Sequence, residues 1–223
     1  MALAGAAALP LSAGSAQAVT PLCTFPGATP PIPACDPGAS QVIGDKIVTV
    51  IQGPNVGSGV VDLEHIVMPP VGWPGDKFIV DIDYDPALGS GSTADISSIF
   101  DYKIAVDSTI APGFYFHDAT LSYNDFGTAS SVTKEVYSKS GYNAADRLAQ
   151  LIGPSTALLP AGYTELWIRD IMTVPLGSQL DNVTNIFTQT QGVPAPLPLL
   201  GAGTAFGFSR RLRRRSKARF SLG

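Results

Sequence analysis

Charge is scarce in this chain: only 14% of its 223 residues are Asp, Glu, Lys or Arg, against about a quarter in an ordinary soluble domain. Histidine is scarcer still. With only His65 and His117 available, a zinc centre built on several imidazoles is out of reach. No Gly-x-Ser-x-Gly turn occurs, which removes the familiar setting for a Ser–His–Asp system. No glycine-rich loop leads into a helix in the way a phosphate cradle requires. Cys23 and Cys35 are the only cysteines and have no histidine close by in sequence, so a zinc finger or ribbon is excluded as well. Neither a catalytic set nor a cofactor-binding motif can be assembled from spacing.

The charge that is present is segregated. Seven of the 14 basic residues fall within the last fifteen positions, leaving seven basic against 18 acidic residues upstream, a net charge of −11 for the body. An acidic body argues against nucleic acid as its partner. The basic tail calls for another explanation, and both ends of the chain supply one. At the N-terminus an apolar stretch from Met1 to Leu11 runs into small residues and Ala16-Gln17-Ala18. This is an A-x-A signal-peptidase pattern, so residues 1–18 read as an export signal cleaved after Ala18. The basic residues that normally precede such a stretch are missing, as expected if the start codon lies further upstream.

At the other end, Val193 to Phe208 carries no charge and is followed at once by Arg210, Arg211, Arg213, Arg214 and Arg215. Sixteen helical residues reach about 24 Å, short of the roughly 30 Å hydrocarbon core. Pro194, Pro196 and Pro198 keep the lead-in extended, so a short transmembrane helix is expected from about Leu197. Snorkelling of Arg210 and Arg211 lengthens its effective span. The arginine cluster sets the cytoplasmic side, leaving the acidic body outside. The order Val193-Pro194-Ala195-Pro196, apolar helix, arginine cluster resembles the PEP-CTERM sorting signal, in its cyanobacterial style. The resemblance covers about 25 residues, 193–219 at its widest. Ala195 stands where that family carries the Glu of its Pro-Glu-Pro motif. The resemblance implies an exosortase, a membrane enzyme, as processing partner near the proline motif, then residence at the cell surface or outside it.

Between the signals, residues 19–40 form a Pro/Gly-rich segment holding both cysteines. In an exported chain such a pair most often bridges, closing a loop of about a dozen residues for roughly 3 kcal/mol; two unbridged thiols are the alternative. Residues 41–192 alternate with period two. Val61, Leu63, His65 and Val67 oppose Asp62 and Glu64; Val80, Ile82 and Tyr84 oppose Asp81, Asp83 and Asp85; Phe100, Tyr102, Ile104 and Val106 oppose Asp101 and Lys103. Further strands are expected over 46–52, 114–123, 131–138, 164–171 and 183–188. Gly- and Pro-rich turns separate them, which predicts an all-β fold, an antiparallel sandwich or jelly roll. One short helix is expected over 144–152, capped by Asn143 and stopped by Gly153-Pro154, with Leu148, Leu151 and Ile152 as its buried stripe.

His65 shares its face with apolar residues and reads as a core histidine. Asp81, Asp83 and Asp85 on one strand face are the best metal candidate. They offer hard oxygen ligands to Ca²⁺, although the EF-hand spacing fails at Pro86 and Ser92. The bland reading is a solvated strand face. Two function classes fit: a non-catalytic surface or extracellular-matrix component, in contact with polysaccharide, or a secreted hydrolase whose acids spacing cannot assign. An enzyme of the second kind needs two carboxyl groups facing each other across a cleft, about 5–9 Å apart.

Overall fold

A computed structural model describes residues 19–25, 34–67, 74–127 and 130–192, the side chains of 85 and 86 excepted. The chain divides into two units, Met1–Gln191 and Gly192–Gly223, and the architecture below is that of the first. The signal stretch 1–18 and the sorting tail 193–219 lie outside the described residues. Among the described residues no helix is long and apolar enough to cross a membrane.

Among the described residues twelve strands follow one another: β1 Thr20–Thr24, β2 Ser40–Ile43, β3 Lys46–Gln52, β4 Gly59–Ile66, β5 Lys77–Leu88, β6 Ile96–Val106, β7 Phe114–Phe126, β8 Ser131–Tyr137, β9 Arg147–Ile152, β10 Ser155–Leu158, β11 Glu165–Val174 and β12 Gln179–Gln191. They build two antiparallel six-stranded sheets, ordered β1-β4-β5-β12-β7-β10 and β2-β3-β6-β11-β8-β9. We call these sheets A and B. The period-two expectation holds over β4, β5 and most of β6. Val61, Leu63, Val80 and Ile82 of sheet A and Val48, Ile104, Leu166 and Ile168 of sheet B are fully buried in one core between the sheets. Burying alternate residues on both inner faces is what makes a sandwich of two such sheets.

The cysteines are bridged, with Cα atoms 4.8 Å apart. Cys23 lies on β1, the edge strand of sheet A, and Cys35 lies in the segment leading to β2, so the bridge joins the first strand to the chain that feeds the opposite sheet.

The expected helix is corrected. Only Ala144–Asp146 form a single 3₁₀ turn, and Asn143 makes no side-chain cap. From Arg147 to Ile152 the chain is strand β9, pairing with β8 from Tyr137↔Arg147 to Thr133↔Ile152. Of the expected stripe Leu151 is buried, but Ile152 points away and is 71% exposed. The open edge of β8 offers a full row of backbone partners, and that tertiary pairing overrides a helical pattern of six residues. After Gly153, β10 pairs with β7 of the other sheet, so the turn at 153–154 carries the chain from sheet B to sheet A. A helix could not have made that crossing with edge pairing on both sides.

Asp101 departs from its expected place as well. It faces outward from sheet B yet is 2% exposed. Arg169 on the neighbouring strand donates from Nε and Nη2 to its two oxygens at 2.9 and 2.7 Å. Tyr142, from the β8–β9 connection, lies 4.0 Å from that guanidinium. A bidentate pair roofed by an aromatic ring buries a charge that alternation alone assigns to water.

Candidate functional site

Asp81 and Asp83 project from β5 to the outer side of sheet A. There β4 sets Asp62 directly opposite Asp81, and Glu64 follows on the same strand. Asp62, Glu64, Asp81 and Asp83, with Val19, line a shallow depression of about 200 Å³. Asp81 is steadied by Thr184, whose hydroxyl donates to Oδ1 at 2.6 Å. Partial burial raises the carboxyl pKa of all three aspartates, and their mutual repulsion adds to the rise. The side chain of Asp85, the third expected ligand, lies outside what is described; Asp62, which spacing did not suggest, stands beside the other two. These acids stand side by side on one sheet face and do not oppose each other across a cleft. Such a face tolerates repulsion in water, and acids alone do not define a calcium shell.

Polar groups inside the core are less ordinary. At one end of the sandwich, the two-residue turn between β2 and β3 delivers Asp45, and β3 begins with Lys46 pointing inward. Across from them β4 supplies His65, the approach to β5 supplies Asp76, and β12 supplies Gln189. All five are at most 2% exposed. Lys46 Nζ donates to Asp45 Oδ1 at 2.6 Å and to Gln189 Oε1. His65 Nε2 stands 3.5 Å from both Asp45 Oδ1 and Asp76 Oδ2, contacts too long for good hydrogen bonds.

Ligand atoms of Asp45, His65 and Asp76 fall within 4.8 Å of one another, a spacing a divalent ion tolerates. Lys46 argues against that use, because its ammonium already sits on Asp45 as the local cation. The cluster is therefore a buried charge network that ties the β2–β3 turn of sheet B to β4, β5 and β12 of sheet A. Desolvation holds the Lys46 pKa below the usual lysine value, against the pull of Asp45 and Asp76. Desolvation, with the Lys46 charge behind it, also lowers the His65 pKa.

A pH dependence follows from His65. Below pH about 6.5 the unfolded chain takes up a proton on this ring that the folded chain refuses. Stability contributed by neutral His65 is therefore present above that pH and lost as the pH falls through it, with a limiting slope of about 1.4 kcal/mol per pH unit. Measured between pH 7.5 and 5.5, urea unfolding midpoints should shift downward relative to those of His65→Gln, since the opposing effect of the raised Asp170 carboxyl is common to both proteins. An unchanged slope in that variant would remove His65 as its source.

A second buried cluster lies between the sheets. Lys134 on β8 and Asp170 on β11 are direct cross-strand partners, both pointing inward. From the opposite sheet, Asn185 on β12 donates from Nδ2 to Asp170 Oδ2 at 2.9 Å. Lys134 Nζ donates to the Thr120 carbonyl oxygen on β7 at 3.0 Å and lies 4.5 Å from the centre of the Phe187 ring. Lys134, Asp170 and Asn185 have no measurable exposure. Burial pushes the Asp170 carboxyl up to about 6, against the Lys134 charge and the Asn185 hydrogen bond. It pushes the Lys134 amine down to about 8, against the attraction of Asp170. Both groups thus move toward their neutral forms.

His117 pairs with Asp118 at 3.1 Å on the outside of sheet A, where Asp118 also accepts from Thr188. Neither buried cluster was anticipated as a site, although a signal exists: Lys46, Lys134, Asp170, Asn185 and Gln189 all interrupt the apolar face of their strand. No protein-family model matches the chain and no curated protein matches it, so the chemistry of these clusters rests on their own geometry.

Proposed function

We propose that this chain is an exported bacterial surface or extracellular-matrix protein, sorted through its C-terminal tail, and that its sandwich is a non-catalytic structural module. The observation that carries the reading is the order of proline motif, uncharged apolar run and arginine cluster over Val193–Arg215. The Cys23–Cys35 bridge supports it, because disulfides persist in oxidising compartments outside the cytoplasm. The disposition of the acids supports the structural role: Asp62, Asp81 and Asp83 share one sheet face, where a glycosidase needs two carboxyl groups opposed. On this reading the tail's partners are the membrane and an exosortase, and the body's surroundings are matrix polysaccharide.

Peptide mapping of protein recovered from the native cell surface tests the sorting step. The peptide carrying Arg210–Arg219 should be missing, with a new C-terminus near Val193–Pro196. Recovery of the intact tail in most surface-extracted protein would overturn the processing step.

A further inference from the structure

Lys134, Asp170 and Asn185 place an amine, a carboxyl and a carboxamide together in a core without solvent exposure, and the amine and the carboxamide are incompletely satisfied as they stand. An ammonium has three protons to donate, yet Lys134 donates to Thr120 O and otherwise faces the Phe187 ring. Asn185 Oδ1 is buried without a hydrogen-bond partner. Such a set is costly in its charged form, since desolvated charges need near-complete pairing to break even.

The positions go further than shared burial. Thr120, which receives the Lys134 hydrogen bond, pairs in register with Ile186, the residue between Asn185 and Phe187. The Lys134 side chain has therefore crossed from sheet B to sheet A, and its nitrogen lies beside the segment of β12 that carries the Asn185 amide. Asp170 meets the same amide at its nitrogen, accepting from Nδ2 at 2.9 Å.

We propose that Lys134 and Asn185 join in an intramolecular amide bond across the core, with Asp170 as the catalytic acid–base. The step balances without oxidant, reductant or cofactor. Lys134 first passes its extra proton to the Asp170 carboxylate, giving a neutral amine and a neutral acid. The Nζ lone pair attacks Asn185 Cγ, and the Nζ–Cγ bond forms. Asp170, already in contact with Nδ2, gives it a proton and takes one from Nζ as the Cγ–Nδ2 bond breaks. Ammonia leaves, and an amide links the two side chains.

The directions in which burial moves the two groups favour the reactive, uncharged pair. The fixed juxtaposition replaces a bimolecular encounter, and the dry surroundings suppress competing hydrolysis. Lys46 provides a contrast: its ammonium donates directly to the Asp45 carboxylate and to the Gln189 carbonyl. The product would tie β8 of sheet B to β12 of sheet A, the last strand before the tail. If the tail anchors the protein as proposed above, load arriving through β12 passes by covalent bond into the other sheet. The cross-link itself does not depend on that reading.

Mass spectrometry of the purified full chain tests it, with both termini first established by peptide mapping. Wild type should be lighter than its sequence, disulfide formed, by one ammonia, and digestion should yield a branched peptide joining Lys134 to Asn185. Asp170→Asn should retain the ammonia and give two linear peptides. Asn185→Asp, where water leaves in place of ammonia, should converge on the same mass as cross-linked wild type. Wild-type protein at full mass with linear Lys134 and Asn185 peptides overturns the proposal, whether or not the variants fold. So does an ammonia loss that maps elsewhere, to a terminal glutamine or to a Lys46–Gln189 branch.

Discussion

Asp45→Ala should destabilise the sandwich by about 3–5 kcal/mol, the usual cost of removing one member of a buried charge pair. Asp45 is fully buried and touches two groups at once, Lys46 Nζ at 2.6 Å and His65 Nε2 at 3.5 Å. Alanine leaves the Lys46 ammonium in the core with only the Gln189 carbonyl and the more distant Asp76 charge to compensate it. Asp45→Asn keeps an acceptor of the same shape and loses only the charge, so it should cost less. Lys46→Met added to Asp45→Ala removes the stranded cation and should recover much of the loss, since an apolar replacement of a buried pair is often close to neutral. Denaturant midpoints of the four proteins give the comparison. For a domain of this size the single alanine variant should also melt roughly 10 °C lower. A loss under about 1 kcal/mol would mean that water reaches this end of the sandwich and that the network is not a closed one.

That network shows where reading a sequence succeeds and where it stops. Alternation identified the buried faces of β4, β5 and β6 because each strand has one dry side, and a one-residue error would expose the whole set. It also placed His65 inside. What alternation cannot do is say which polar residue on an apolar face will find a partner, because the partners come from other strands. Asp45 and Lys46 meet His65, Asp76 and Gln189 only once sheet B is laid over sheet A. Lys134 meets Asn185 across the same gap.

The acidic face illustrates the same limit from outside. Asp81 and Asp83 were legible as neighbours on one strand, whereas Asp62 joins them through β4–β5 pairing, which no local pattern encodes. The segment Arg147–Ile152 failed for a different reason. Its spacing of apolar residues fits either period over six positions, and the free edge of β8 decides between them. Asp101 failed because Tyr142 reaches over from a connection whose course is set by the strands on either side.

Gly44→Ala should cost about 2–5 kcal/mol, combining left-handed backbone strain of about 1–2 with overpacking of about 1–3. The turn between β2 and β3 has only two residues, Gly44 and Asp45, and Ile43 pairs with Lys46 across it. Gly44 has φ +59 and Asp45 is not in the positive-φ region, the pattern of a type II′ hairpin turn, which favours glycine at its first position. A Cβ there would lie 1.9 Å from His65 Nδ1 and 2.4 Å from Cε1. Those atoms belong to a ring with no exposure, wedged toward Asp45 and Asp76, so the ring cannot simply swing away. The two contributions are separable. In a His65→Ala background the clash is gone and only the backbone strain remains, so Gly44→Ala should then cost about 1–2 kcal/mol. A double-mutant cycle on unfolding free energies should accordingly show coupling of about 1–3 kcal/mol between the two positions. Equal costs in both backgrounds would show that the turn does not press on the imidazole, and that Asp45 is set in place by the backbone of the hairpin alone.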